Sequence, residues 1–245
     1  MEYFTNMFTF LFRMVALVVL IFVGILFPLN SFAAAATVDT SYNECASEGS
    51  SRASSGLGHF STGIVGVNSG SDWTKNSCLG DEIHHFDNYA LYVNTNYPSD
   101  GCHTAENRTD AFNCGYNLGL FDVNYASSQG AHSNTWFEDV EGGPGTGIPW
   151  ATDSLNSSFL WGLEVSLRLW GAGTIGFYST ASQWQSITGN WHNDNDGWYA
   201  TGVNGTPSAS TIHNACHSNF TGGHNVYYQY IVGGLSGGLD YDESC

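Results

Sequence analysis

The densest chemistry in the chain lies in one short run, Trp136-Phe137-Glu138-Asp139-Val140-Glu141. On a β-strand, residues two apart point to the same face. Phe137, Asp139 and Glu141 therefore share one face, and Trp136, Glu138 and Val140 share the other. Two strand rises put Asp139 and Glu141 roughly 7 Å apart along the backbone. Neighbouring acids resist ionising together, so the less solvated one keeps its proton to a higher pH. Cleaving a glycosidic bond needs such a group to protonate the leaving oxygen. Alone, an Asp-x-Glu equally suits a solvated strand end, so the remaining acids and aromatics decide its weight.

Asp39 lies in an early β-rich run, Val38-Asp39-Thr40-Ser41-Tyr42, and Asp240 in the last one, Gly238-Leu239-Asp240-Tyr241-Asp242. In a closed barrel the first and last strands are neighbours, and these acids would then converge on one end. Tyr227-Tyr228-Gln229-Tyr230 places one amide on an aromatic strand, and Tyr92 and Asn94 end another. Aromatic faces for sugar rings, with amides and acids for hydroxyls, suit a polysaccharide groove.

Eight short runs read as strands: 37–42, 62–67, 89–95, 135–141, 174–179, 197–201, 225–232 and 238–242. Each is bounded by Gly, Asn, Ser or Pro. Helical stretches are expected at 81–86, 116–128 and 152–170. The last is the clearest, with Leu155, Phe159, Leu163 and Leu167 at helical spacing, Thr152 or Asp153 at its start and Gly171 at its end. Strands alternating with helices predict an α/β fold, a modified (β/α)8 TIM-like parallel barrel with some helices missing or short. A doubly wound open sheet is the main competitor. The Gly-rich run 142–147 follows a strand but has no Lys partner, and reads as a loop over the site.

The first 36 residues read as a signal peptide: Arg13, an apolar run from Met14 to Leu29, then small residues up to Ala36. An uncleaved anchor is the alternative, but the run is shorter than the ~20 apolar residues a span needs. Residues 37–245 would be a single secreted domain with no stable membrane association, expected to be a monomer. All but Glu2 of the 22 acids lie beyond the leader, against four Lys or Arg, and the net charge is −17. Such a surface repels nucleic acid and anionic membranes.

Cys45, Cys78, Cys102, Cys114, Cys216 and Cys245 form an even set behind a signal peptide, which points to disulfides. Sequence alone leaves fifteen pairings open. The pairing adopted is Cys45–Cys78, Cys102–Cys114 and Cys216–Cys245. Sequons occur at Asn107, Asn156, Asn204 and Asn219. No cofactor and no metal is called for. His213, Cys216 and His217 lie in an Asn-, Ser- and Thr-rich stretch that is not clearly helical and suits a disulfide loop better than zinc. Asp194 and Asp196 lack the full spacing of a calcium loop. No His is placed beside Ser41 or Ser179 by any hydrolase motif.

The order of these features resembles glycoside hydrolase family 25: Asp39 early, Trp136 to Glu141 in the middle, Gly176-Phe177-Tyr178-Ser179, Trp184, Trp198-Tyr199-Ala200, Tyr228 to Tyr230, and Asp240 last. The resemblance implies a modified barrel that cleaves the β-1,4 bond after N-acetylmuramic acid in peptidoglycan. It implies Glu141 as proton donor and Asp139 as second carboxylate, steering the substrate's N-acetyl group or acting on water. Asp39, Asp240, Tyr92, Asn94, Tyr178, Trp198 and Gln229 would bind substrate. Three departures mark a divergent member. Ser41 to Cys45 replaces the family's Gln-Gly, Glu138 stands where an apolar residue is usual, and Tyr92-Val93-Asn94 replaces Tyr-His-Phe. A catalytically inactive barrel that binds polysaccharide or cell wall is the alternative function.

Overall fold

Alternating apolar residues build eight strands that close on themselves in sequence order. The computed structural model describes residues 37–41, 59–97, 101–102, 106–142, 148–232 and 240–245. The leader at 1–36, Cys45, residues 143–147 of the Gly-rich run and the start of the expected last strand lie outside them. The strands are β1 (Thr37–Thr40), β2 (Phe60–Gly66), β3 (Phe86–Asn94), β4 (Thr135–Asp139), β5 (Thr174–Ser179), β6 (Asp196–Asn204), β7 (Asn225–Ile231) and β8 (Asp240–Ser244). The helices are α1 (Leu79–Glu82, continued by a 3-10 turn), α2 (Arg108–Ser128), α3 (Asp153–Leu169), α4 (Ala181–Thr188) and α5 (Ala209–His217).

β1 to β7 pair in parallel, whereas β8 runs antiparallel to both β7 and β1. The barrel is thus the modified one expected, parallel through seven strands and closed by an antiparallel eighth. A parallel crossover needs a dozen or more residues, and fewer separate β7 from β8. The last strand therefore turns back on its neighbour. This brings its first residue, Asp240, level with Asp39 of β1.

Period-two alternation sorts the side chains into two cores. Ile64, Ala90, Tyr92, Phe137, Tyr178, Trp198 and Ala200 fill the barrel. Val38, Val65, Leu91, Val93, Trp136 and Phe177 face outward, beneath Leu118, Phe159, Leu163 and Trp184 of the helices. Small residues make room inside: a Cβ on Gly66 would press on the ring of Tyr92, and one on Gly176 on the ring of Phe137.

α3 follows its apolar stripe, with Phe159, Leu163 and Leu167 fully buried. Thr152 occupies the N-cap position without a side-chain capping bond, and Gly171 follows the helix with φ of +123°. α2 begins earlier than expected. Asn107 caps it, accepting from the backbone N–H groups of Thr109 and Asp110 at 3.0 and 3.1 Å. α5 takes in 213–217, a stretch not clearly helical by sequence: Ser208 caps it by accepting from Thr211 N–H.

Candidate active site

β4 carries Asp139 to the C-terminal mouth of the barrel, and Glu141 follows two residues later on the same side. The register sets Asp139 beside Asn94 of β3 and Tyr178 of β5. Asn94 donates its side-chain amide to Asp139 Oδ2. Asn94 is itself held at the backbone by the buried Asn68, which accepts from its N–H and donates to its C=O, both at 2.9 Å. Thr95 fixes the β4 end by donating its hydroxyl to the Asp139 carbonyl at 2.5 Å. The indole N–H of Trp150 donates to the Glu141 carbonyl at 2.8 Å. A cleft of about 170 Å³ opens above the two carboxyls, walled by Asn94, Thr95, Ile148 and Pro149.

A second chain of polar groups crosses the barrel mouth. Tyr178 donates its hydroxyl to Gln229 Oε1 at 2.5 Å, and Gln229 donates its amide to Asp39 Oδ2. Asp39 lies against Asp242, whose Oδ1 accepts from the Trp198 indole N–H at 2.6 Å. Asp242 points into the barrel because it is two residues from Asp240 on β8, and it is fully buried. Sequence reading took Asp240 and passed over Asp242, although the Asp-x-Asp alternation carries the same signal as Asp139 and Glu141. Asn68 was missed too, and its loop position offers no comparable signal.

The electrostatics follow from burial and crowding. Burial is the main reason that Asp139 titrates well above the usual carboxylate range. The charges of Glu141 and Asp39 push it further, and the Asn94 hydrogen bond opposes them. Glu141 is also raised, first by burial and then by the charge of Asp240. Asp242 is raised well above its ordinary value by burial and by Asp39, against the pull of Trp198. Tyr178 is raised well above the phenol range by burial and the surrounding acids, and remains a neutral donor. Such a set can hold at least one proton near neutral pH beside a carboxylate that has lost its own.

The structure thus gathers Asp139, Glu141 and Asn94 at the cleft, with Asp39, Asp240, Tyr178 and Gln229 beside them across the barrel mouth. Tyr92 and Trp198 lie elsewhere. Both are buried inside the barrel, with Trp198 edge-on to Tyr92 at 5.7 Å between ring centres and packed on Tyr178 at 4.4 Å. Their rings pack on one another, that of Trp198 also on Tyr178, and form a floor beneath the acids. Glu138 points outward beneath α3, fully buried. Burial raises it well above the carboxylate range, with Glu164 adding and Arg168 opposing.

Two expected disulfides are present, Cys102–Cys114 and Cys216–Cys245. The third expected pair involves Cys45, outside the described residues. Among the described residues no group of three His, Cys, Asp or Glu is placed to hold a metal. No described helix is long and apolar enough to cross a membrane.

No family model matches the chain, and no curated protein matches it significantly. Solved structures do. The bacterial lysozyme from Streptomyces coelicolor superposes with a TM-score of 0.58 at 14% identity, over 87% of this chain and 93% of that one. The muramidase from Trichobolus zukalii gives 0.56 at 13%, over 86% and 94%. The muramidase from Acremonium alcalophilum gives 0.51 at 15%, over 86% and 93%. The chain has their fold. At this identity the likeness concerns architecture, since one fold hosts many activities. The lysozyme-type barrel is the architecture expected from the family 25 resemblance, and its departure from a regular parallel barrel lies at β8, which runs antiparallel to both neighbours. In this barrel the acids sit at the strand ends, where the variable loops meet.

Proposed function

We propose that residues 37–245 form a secreted glycoside hydrolase that cleaves peptidoglycan, or a similar amino-sugar polymer, with Glu141 and Asp139 as its catalytic carboxyls. The observation that carries this reading is the crowding of two inward acids at the mouth of a lysozyme-type barrel, each raised by burial and by a neighbouring acid. Both carboxyls line the cleft and both are raised; the family resemblance assigns the proton donor to Glu141, which as the more open of the two can reach the leaving glycosidic oxygen as the C–O bond breaks. Asp139, held by Asn94 and Thr95, is the fixed partner that steers the N-acetyl group or takes a proton from the attacking water. Water supplies the new hydroxyl: where the N-acetyl group is the first nucleophile the water's proton returns to Glu141, and where Asp139 takes that proton it is exchanged through solvent and Glu141 is reprotonated from solvent. Asp39, Gln229 and Tyr178 form one hydrogen-bonded unit across the barrel mouth, and the charge of Asp240 adds to burial in favouring the protonated form of Glu141.

Residues 1–36 act as a cleaved signal in this reading. The disulfides fit an oxidising destination outside the cell, and the glycan is the partner.

The test is hydrolysis of cell-wall suspensions, read by loss of turbidity and release of reducing ends. Glu141→Gln should lower the rate by about 100- to 10,000-fold and leave wall binding and thermal unfolding in place. Unchanged cutting by that variant would remove Glu141 from its role. A wild-type chain that binds walls yet cuts no amino-sugar polymer would be a binding barrel. Mass analysis of the released fragments identifies the bond.

A further inference from the structure

The helical layer carries a second groove, larger than the cleft and sharing none of its lining residues. It encloses about 610 Å³ between α3, the first residue of α2 and the chain that joins α4 to β6. Its lining runs along α3 from Asp153 to Glu164, twelve residues whose eleven rises span about 16 Å of helix, more than a single sugar ring occupies.

Two indoles form its apolar part. Trp161 is 51% exposed and is braced edge-on by Phe112 at 4.9 Å. Trp191 is half-buried, backed by Trp184 with the rings nearly parallel at 6.1 Å. Both are therefore held firmly while offering surface to the groove. The other lining residues are all polar, save one glycine, and no Leu, Ile, Val or Met is among them. Arg108 is positioned by a 3.0 Å bond from Nε to Ser158 Oγ, and Asp153 and Asn193 add further donors and acceptors. The charge of Glu164 is met by Arg168 at 3.0 Å. On a chain of net charge −17 with five basic residues, this groove is one of the few places where charge is locally balanced.

Rigid aromatic surface flanked by hydrogen-bonding groups of both kinds, without aliphatic contacts, matches a ring that is apolar on its face and polar at its edge. Phosphate-rich polymers are repelled by the surrounding charge. A protein partner would need a larger apolar centre than two indoles provide.

We propose that this groove is a second glycan-binding site. It holds a strand of amino-sugar polymer against Trp161 and Trp191, while Arg108, Asp153 and Asn193 bond its hydroxyl and acetamido groups. The identity of the polymer rests on the reading of the cleft given above; the existence of the site does not. Its effect is to keep the enzyme on an insoluble wall between cuts.

The experiment measures sedimentation of the full mature chain with insoluble peptidoglycan and with chitin, in a Glu141→Gln background so that nothing is cut. Adding Trp161→Ala should weaken binding about three- to tenfold, and Trp161→Phe should restore part of it. In the active background, Trp161→Ala should slow clearing of insoluble walls and leave hydrolysis of soluble fragments unchanged. Trp161 is half-exposed, so unchanged thermal unfolding verifies the fold. Equal binding with and without Trp161, or no binding of either polymer, overturns the site. An equal loss on soluble fragments overturns it too, because the groove would then belong to the cleft. Loss of binding in Trp161→Ala from a chain that never cuts would keep the groove and sink the hydrolase reading.

Discussion

Asn94 and Asp139 are register partners on adjacent strands, and the amide of one donates to the carboxylate of the other. The bond acts on the charged form of Asp139, the form that burial and two neighbouring acids disfavour. It opposes the rise in the pKa of Asp139, which burial and those two acids nevertheless leave well above the ordinary carboxylate range.

Asn94→Ala should raise the apparent pKa of Asp139 and move the acid limb of the pH–rate profile upward. A hydrogen bond to a charged group contributes about 1.5–3 kcal/mol, so kcat/KM should fall about ten- to a hundredfold. The check is kcat/KM across the pH range. A uniform loss with no displaced limb would make Asn94 a sugar contact and not a positioning residue.

Asp240 tests the other carboxyl. Its charge is one of the two causes that raise Glu141. Activity that needs protonated Glu141 is present below its pKa and lost as pH rises through it. Asp240→Asn removes the charge, lowers that pKa, and should shift the basic limb to lower pH with the acid limb in place. Rates on soluble fragments at matched ionic strength read this out, and a fixed basic limb would separate Glu141 from Asp240.

Much of this site was legible because strand alternation is a local rule. Asp139 with Glu141, and Asp39 facing the last strand, needed only period two and barrel closure. Pairing direction is not local, so the reversal of β8 left no trace in its own residues. The short helices α4 and α5 are rich in Ser, Thr and Asn, which hid them from a hydrophobic pattern. Their caps were nonetheless written out: Thr180 accepts from Gln183 N–H, the Thr-x-x-Gln spacing of a capping box. The contact of α2 with α3 is governed by two glycines whose role no single-helix pattern reveals. A Cβ on Gly115 would strike the Phe159 carbonyl, and one on Gly162 the Phe112 carbonyl. The burial of Tyr92 and Trp198 beneath the acids was not legible, because an aromatic on a strand looks the same whether it faces a ligand or a neighbour.

Glu138 gives a stability test away from the cleft. Neither of its buried oxygens has a hydrogen-bond partner, and its pKa is raised in the folded state. Its folded form therefore prefers the proton. That contribution is fully present below the ordinary carboxylate range and is lost as pH rises through the raised value. Asp122, Asp139 and Asp242 have the same sign. The unfolding temperature should fall as pH rises from the ordinary carboxylate range towards neutrality and beyond. Glu138→Met should stabilise the chain at neutral pH by about 1–3 kcal/mol and flatten that slope. A variant less stable than wild type at both ends of the range would contradict this account.

The disulfide Cys216–Cys245 joins α5 to the residue that follows β8, closing 29 positions of sequence. β8 is the antiparallel strand and carries both Asp240 and Asp242, so its seating sets two of the acids at the mouth. Replacing both cysteines by serine should lower stability by about 2–4 kcal/mol, through the loop freed in the unfolded chain. It should also loosen the end of β8 in the folded state. Activity would then fall at temperatures well below global unfolding, and amide exchange in 240–245 would rise ahead of β4. Amide protection across β8 that matched wild type, together with lost activity, would place the damage elsewhere than in this strand.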